Sequence, residues 1–179
     1  RAVVMLKPSI DFFLVMFALF KNGAVPVLVD PGIARSALKQ CLAEAQPKAF
    51  IGIPLAHMAR LLLRWAPGVH LKVTAGAFSL WGGKTLKTIE TLGNASQRGL
   101  AEVNADDMAA VLFTSGSAGV PKGVVYRHRH FVAQVRLMQQ AFGTEPGGIS
   151  LPTFPPFALF DPALGLTSII PDMDPRKPG

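Results

Sequence analysis

The stretch Phe-Thr-Ser-Gly-Ser-Ala-Gly-Val-Pro-Lys-Gly-Val-Val, residues 113–125, sets small residues, hydroxyls, glycines and one lysine between two apolar runs. Residues 109–113 read as a continuous apolar strand, so the loop that opens at Thr114 stands at a strand's carboxyl end, where open α/β sheets place their ligands. Beyond the loop, Val124, Val125 and Tyr126 are β-branched or aromatic and predict a second strand. The next helix follows only over about residues 130–142.

That order separates the known ways of holding a phosphate with glycine and lysine. A Walker A loop needs glycine directly before its lysine, Ser or Thr directly after, and a helix at once. Here Pro121 precedes Lys122 and Gly123 follows it, and proline and glycine beside β-branched residues disfavour a helix there. A Rossmann loop needs Gly-x-Gly-x-x-Gly, and Ala118 stands where its second glycine would be. What remains is a connection between two strands whose amides, with the hydroxyls of Thr114, Ser115 and Ser117, can donate to phosphate oxygens. Gly116 and Gly119 permit the close approach this requires. Lys122 adds a compact charge on a flexible stem. The competing reading is a tight turn with an incidental lysine.

Upstream, strands and helices alternate. Residues 3–6 predict a strand, and Ser9 then caps a helix running to Lys21, with Asp11 in its first turn and Gly23 at its left-handed stop. Residues 25–29 predict a strand closed by Asp30-Pro31-Gly32. Helices over about 34–45 and 55–65 alternate with strands over 48–53 and 71–74. This pattern predicts an α/β fold with mostly parallel strands covered by helices on both faces, and the phenylalanines of the first helix are expected in the core. Residues 76–107 show no clear period and are expected to form a surface connection.

The 179 residues are half hydrophobic and only 16% charged, against roughly 25% charged in an average soluble domain. The chain therefore reads as part of a larger domain, with neither end a natural terminus. Its longest apolar run, residues 12–20, is nine residues long, whereas crossing a bilayer takes about 20, so no membrane span is expected. Cys41 is the single cysteine, which excludes an internal disulfide and a cysteine cluster for zinc and fits a cytoplasmic protein. The net charge of +7 and the cluster of Lys122, Arg127, Arg129 and Arg136 with His128 and His130 raise nucleic acid as a partner. No zinc-finger, RNA-recognition or helix-turn-helix pattern accompanies them, and no nucleic-acid partner is expected.

With these residues in place, Thr114-Ser115-Gly116-Ser117-x-Gly119-x-Pro121-Lys122-Gly123 resembles the phosphate loop of the adenylate-forming enzymes, the family of acyl-CoA synthetases, luciferases and peptide-synthetase adenylation domains. The segment from Lys21 to Pro31 resembles the family's early helix-strand-Asp-Pro segment, and His128 matches a histidine that often follows the loop. The resemblance implies that residues 1–179 are part of the large N-terminal AMP-binding domain. It also implies ATP and Mg2+ as cofactors, with the nucleotide held by Thr114, Ser115, Gly116, Ser117, Ala118, Gly119 and Lys122. Family members usually carry Ser or Thr where this chain has Ala118, so one hydroxyl is missing. For His128 the residues favour a packing or hydrogen-bonding role over that of a base, since no carboxylate is paired with it in the sequence. The family's magnesium-binding acid, ribose-binding aspartate, adenine segment and C-terminal catalytic lysine are expected beyond Gly179. No catalytic residue is assigned within the chain.

Many relatives carry Pro-x-Phe-His downstream of the loop. Here the corresponding stretch is Leu151-Pro152-Thr153-Phe154-Pro155-Pro156-Phe157-Ala158-Leu159-Phe160-Asp161-Pro162, with no histidine. Stiffening prolines and apolar phenylalanines suit the wall of an alkyl pocket; a Pro-rich surface loop is the other reading. This stretch, residues 165–175 and residues 125–131 together look like the β-lactone synthetases of bacterial long-chain olefin biosynthesis. That resemblance implies activation of a long-chain 2-alkyl-3-hydroxy fatty acid as its adenylate, closure of a β-lactone by the substrate's own hydroxyl, and other enzymes of the olefin pathway as possible partners. A fatty acyl-CoA ligase and a non-catalytic ATP-binding module are the alternatives.

Overall fold

The computed structural model describes residues 1–30, 32–93, 99–114, 121–153 and 155–171. In chain order it forms β1 (Ala2–Met5), α1 (Ile10–Lys21), β2 (Pro26–Val29), α2 (Arg35–Ala45), β3 (Ala49–Gly52), α3 (Pro54–Leu62), β4 (Leu71–Thr74), β5 (Lys84–Thr85) and α4 (Leu86–Gly93). Then come β6 (Met108–Thr114), β7 (Lys122–Arg127), α5 (His128–Phe142), β8 (Ile149–Ser150), a 3-10 helix (Pro155–Leu159), α6 (Asp161–Leu164) and β9 (Thr167–Ser168).

The first seven strands make one sheet in the order β5-β4-β3-β1-β2-β6-β7, and β8 pairs β9 separately. Neighbours in the large sheet run parallel except β6 and β7, which are antiparallel. Alternate strand residues point to opposite faces, and the core divides accordingly. Val3, Val27, Phe50, Val111 and Phe113 pack on one face with Cys41, Leu42 and Trp65. Ala2, Val4 and Ile51 pack on the other with Phe12, Val15 and Met16 of α1. Strands buried on both sides explain the unbroken apolar runs from which they were read.

Helix α1 has the predicted caps. Ser9 Oγ accepts from the Phe12 amide at 3.3 Å, Asp11 lies in the first turn, and Lys21 in the last. Gly23 takes φ +63° and donates to the Phe20 carbonyl at 3.0 Å. Of the phenylalanines on this helix Phe12 is buried, whereas Phe17 is 40% exposed, so only part of the expected aromatic core is internal.

Several boundaries differ from the sequence reading for identifiable reasons. Helix α3 stops at Leu62 rather than at residue 65, because Arg64 and Ala66 adopt positive φ. The connection over residues 76–107 contains β5, a two-residue strand too short to show a period, and α4. Thr85 Oγ1 accepts from the Thr88 amide at 3.2 Å, the cap that starts α4. Helix α5 begins at His128, two residues earlier than read.

On α3 the polar residues face inward. His57 is fully buried and Arg60 nearly so. His57 Nε2 donates to the Val73 carbonyl at 2.9 Å, its ring stacks on Trp81 at 5.6 Å, and it meets Phe50 edge-on at 4.9 Å. Burial holds the His57 imidazole below its ordinary pKa, and the nearby Arg60 and Lys72 charges add to this against the bond to Val73. The Arg60 guanidinium lies 5.7 Å from the centre of the Phe50 ring.

Candidate functional site

β6 runs parallel to its neighbour β2, so its end lies on the edge of the sheet that holds the carboxyl ends of the parallel strands. β6 and β7 form a hairpin whose last pair sets Thr114 opposite Lys122. Both residues are exposed. Lys122 is thus the first residue of a strand rather than part of the loop, and the ladder fixes both feet of that loop at one place. Ser115, Gly116, Ser117, Ala118 and Gly119, read as phosphate donors, lie outside the described residues.

Two contacts brace the feet. The Asp30 amide, just past β2, donates to the Phe113 carbonyl at 2.9 Å, and Asp30 Oδ1 accepts from the Gly32 amide at 2.8 Å. Asp30 is therefore tied to the end of β6. Across the hairpin Phe113 pairs with Gly123, whose missing side chain leaves room for the buried phenylalanine ring. Thr114 and Lys122 stand one residue further out, at the sheet's open edge.

The basic cluster that raised nucleic acid organises the start of α5. Arg127 donates from its guanidinium to the Asp106 carbonyl, Arg129 pairs with the Asp106 carboxylate at 2.5 Å, and the His128 amide donates to the Asp107 carbonyl at 3.2 Å. The Arg127 amide donates to His130 Nδ1 at 3.2 Å. These bonds clip the turn before β6 to the end of β7. They place His128 as the first residue of α5, held there through its backbone amide.

An aromatic column escaped the sequence reading. Tyr126 stacks on Phe131 at 5.5 Å, and Phe131 contacts Phe160 at 5.8 Å and Phe20 at 6.0 Å. It joins α1, β7, α5 and the Pro-Phe segment. Its signal in the sequence was faint, since the partners are far apart along the chain. The Pro-Phe segment forms the 3-10 helix and α6. Phe160 is 9% exposed and anchors the segment, while Phe157 is 48% exposed and presents an apolar surface. The buried Asp161 carboxylate accepts from Ser168 Oγ at 2.5 Å, pinning β9 to α6.

Two open clefts occur elsewhere. One of about 410 Å³ lies along α4 between Thr85 and Leu92. Another of about 510 Å³ lies between residues 143 and 166. Among the described residues no group of three or more His, Cys, Asp or Glu side chains could hold a metal ion, and no helix is long and apolar enough to cross a membrane. The described site thus offers a hydroxyl and an ammonium at the feet of a strand-to-strand loop, suited to an anion with several oxygens.

Comparison with known proteins agrees with that chemistry. The family model of the AMP-binding enzymes matches residues 1–167. The chain is 69% identical over 178 residues to an olefin β-lactone synthetase of Stenotrophomonas maltophilia (strain K279a), and 68% identical over 178 residues to one of Xanthomonas campestris pv. campestris. Each alignment covers 99% of this chain and 32% of the relative, so the chain spans about a third of the length of these curated relatives. Among solved structures, the inhibitor-bound N-terminal domain of FACL13 from Mycobacterium tuberculosis superposes with a TM-score of 0.77 at 19% identity, over 97% of this chain and 44% of that one. At that identity the likeness concerns the fold alone.

Proposed function

The chain belongs to the family of AMP-binding enzymes, and from that premise we propose that the protein activates a long-chain 2-alkyl-3-hydroxy carboxylic acid with ATP and closes it to a β-lactone. The observation that carries the reading is the identity of about two thirds with two olefin β-lactone synthetases over 99% of the chain, the Pro-Phe segment included. The pairing of Thr114 with Lys122 supports its first half.

In this reading residues 1–179 form part of the large N-terminal domain of a cytoplasmic enzyme. Thr114, Lys122 and the loop residues Ser115, Gly116, Ser117, Ala118 and Gly119 grip the phosphates of ATP. The substrate carboxylate attacks the α-phosphorus, the bond to the bridging oxygen breaks, and pyrophosphate leaves. The 3-hydroxyl oxygen then attacks the activated carbonyl carbon, loses its proton, and expels AMP. The nucleophile is tethered to its electrophile, which gives ring closure the advantage of proximity over a separately bound thiol. Phe157 contributes to the alkyl wall, and Phe160 holds that wall in place. Mg2+ would accompany the ATP and offset the charge of its triphosphate. Other enzymes of olefin synthesis supply the hydroxy acid and consume the lactone.

The full-length protein, given ATP, Mg2+ and a 2-alkyl-3-hydroxy fatty acid without coenzyme A, should release AMP and a neutral product with the mass of the acid minus one water. AMP release that depends on coenzyme A and yields a thioester would make the protein a fatty acyl-CoA ligase instead. ATP binding without pyrophosphate release would reduce it to a nucleotide-binding module.

A further inference from the structure

Helix α3 turns its leucines outward, Leu55 and Leu62 being 62% and 76% exposed, and buries His57 and Arg60. Arg60 is 7% exposed, yet its Nε–H is buried without a hydrogen-bond partner. Among the described residues no carboxylate comes within pairing distance of it. Its guanidinium carbon lies over the Phe50 ring, 5.7 Å from the centre. Burial pushes its pKa below the ordinary arginine value, but a guanidinium stays charged at physiological pH. Arginine is almost never fully buried unless paired, because only an opposite charge and hydrogen bonds to its nitrogens replace the hydration it loses. A ring face offsets a small part of that cost.

The surroundings add a second cation and no acid. Phe50 pairs with Lys72 in the β3–β4 ladder, so Lys72 rises from the same face of the sheet that α3 covers. The Lys72 ammonium lies 3.9 Å from where a Cβ on Gly82 would stand, next to Trp81, which stacks on His57. Burial, and with it the charges of Arg60 and Lys72, holds the His57 imidazole below its ordinary pKa. No Asp or Glu occurs between Glu44 and Glu90, so β3, α3, β4 and β5 bring no counter-charge of their own. Two cations beside a neutral imidazole, one of them nearly buried, match a group with negative oxygens. The guanidinium is the planar fork that grips two such oxygens at once.

We propose that Arg60 is the receptor for an oxyanion, a carboxylate or phosphate group from outside the described residues, held in the guanidinium fork beside Phe50 and Lys72. The inference does not rest on the proposed reaction. The test compares the melting of the full-length protein with that of two variants. Arg60→Met keeps the length of the side chain and its packing on Phe50, and Arg60→Lys keeps the charge and loses the fork. Each protein is melted in chloride and in inorganic phosphate at equal ionic strength. Removing an unpaired buried charge stabilises a protein, whereas removing one member of a buried pair strands the other and destabilises it. The sign of the Arg60→Met shift is therefore informative. A fall of about 5 °C or more, up to loss of the folded state, with only partial recovery in Arg60→Lys, is expected where a carboxylate of the same polypeptide fills the fork. A midpoint raised by phosphate in the parent and not in Arg60→Met is expected where the oxyanion comes from solution. An Arg60→Met midpoint that equals or exceeds the parent's, with no phosphate effect that depends on Arg60, overturns the proposal. So does an Arg60→Lys protein that matches the parent in both salts, because a cation over the Phe50 ring would then be all the site requires.

Discussion

The ring of Phe113 lies against Gly123 across the β6–β7 ladder, so closely that a Cβ added at Gly123 would stand 3.0 Å from Phe113 Cε1 and 3.1 Å from Cζ. The glycine of the Pro-Lys-Gly triplet therefore serves the packing beneath the loop. Its neighbours Thr114 and Lys122 face the open edge.

Gly123→Ala forces the buried ring to shift, and overpacking of this kind costs about 1 to 3 kcal/mol. The denaturant midpoint should fall without a change in the slope of the transition. Gly123→Ala combined with Phe113→Leu should recover part of the loss, because the smaller side chain vacates the contact. An unchanged midpoint in the single variant would mean that the ring has room to move.

Lys122→Ala should leave the fold intact, since the side chain is exposed, and should weaken ATP binding in the full-length protein. A charge-assisted hydrogen bond contributes about 1.5 to 3 kcal/mol, or roughly a tenfold to hundredfold change in the dissociation constant. Parental ATP affinity measured by calorimetry would remove Lys122 from the phosphate site.

His57 makes stability depend on pH. Burial holds its folded pKa below the unfolded value of 6.5, so below about pH 6.5 the unfolded chain binds a proton that the folded chain resists. The contribution is complete above that pH and is lost as the pH falls toward the folded pKa. Trp81 fluorescence should report a midpoint that drops between about pH 7 and pH 5, with a shallower drop in His57→Gln. Equal slopes in the two proteins would place the titration elsewhere.

The two phenylalanines of the Pro-Phe segment should separate cleanly. Phe160→Ala empties a nearly buried site beside Phe131 and should cost about 3 kcal/mol or more. Phe157→Ala touches a half-exposed side chain and should leave the melting temperature close to parental while changing the preferred acyl length in the full-length enzyme. If Phe157→Ala alters stability and leaves acyl preference as it was, the alkyl-wall assignment fails.

What the sequence disclosed followed the range of the forces involved. Alternating strands and helices, the Ser9 cap and the Gly23 stop depend on neighbours within a few residues, and the structure places them as read. The order around Lys122, with strands on both sides, was legible because proline and glycine forbid a helix locally. Features made by distant partners were not legible. β5 exists because β4 offers it a ladder, and the column through Phe20, Tyr126, Phe131 and Phe160 joins four separate parts of the chain. The same holds for α3, whose composition gives no sign that His57 and Arg60 turn inward while the leucines turn out. That orientation depends on Phe50, Val73 and Trp81, all outside the helix.

The pairing of β2 with β6, Val27 opposite Val111, also sets a timetable for a ribosome. Strands β1 to β5 can assemble as they emerge, but the flank of β2 that β6 will cover stays open until the chain has grown by some eighty residues more. At about 5 to 20 residues per second that is roughly 4 to 17 seconds. Throughout that interval Pro26–Val29 is a bare apolar edge able to template a foreign strand. The hairpin that closes it is local and folds within microseconds once made, so the nascent chain's most vulnerable moment ends with synthesis of the very segment proposed to grip the nucleotide.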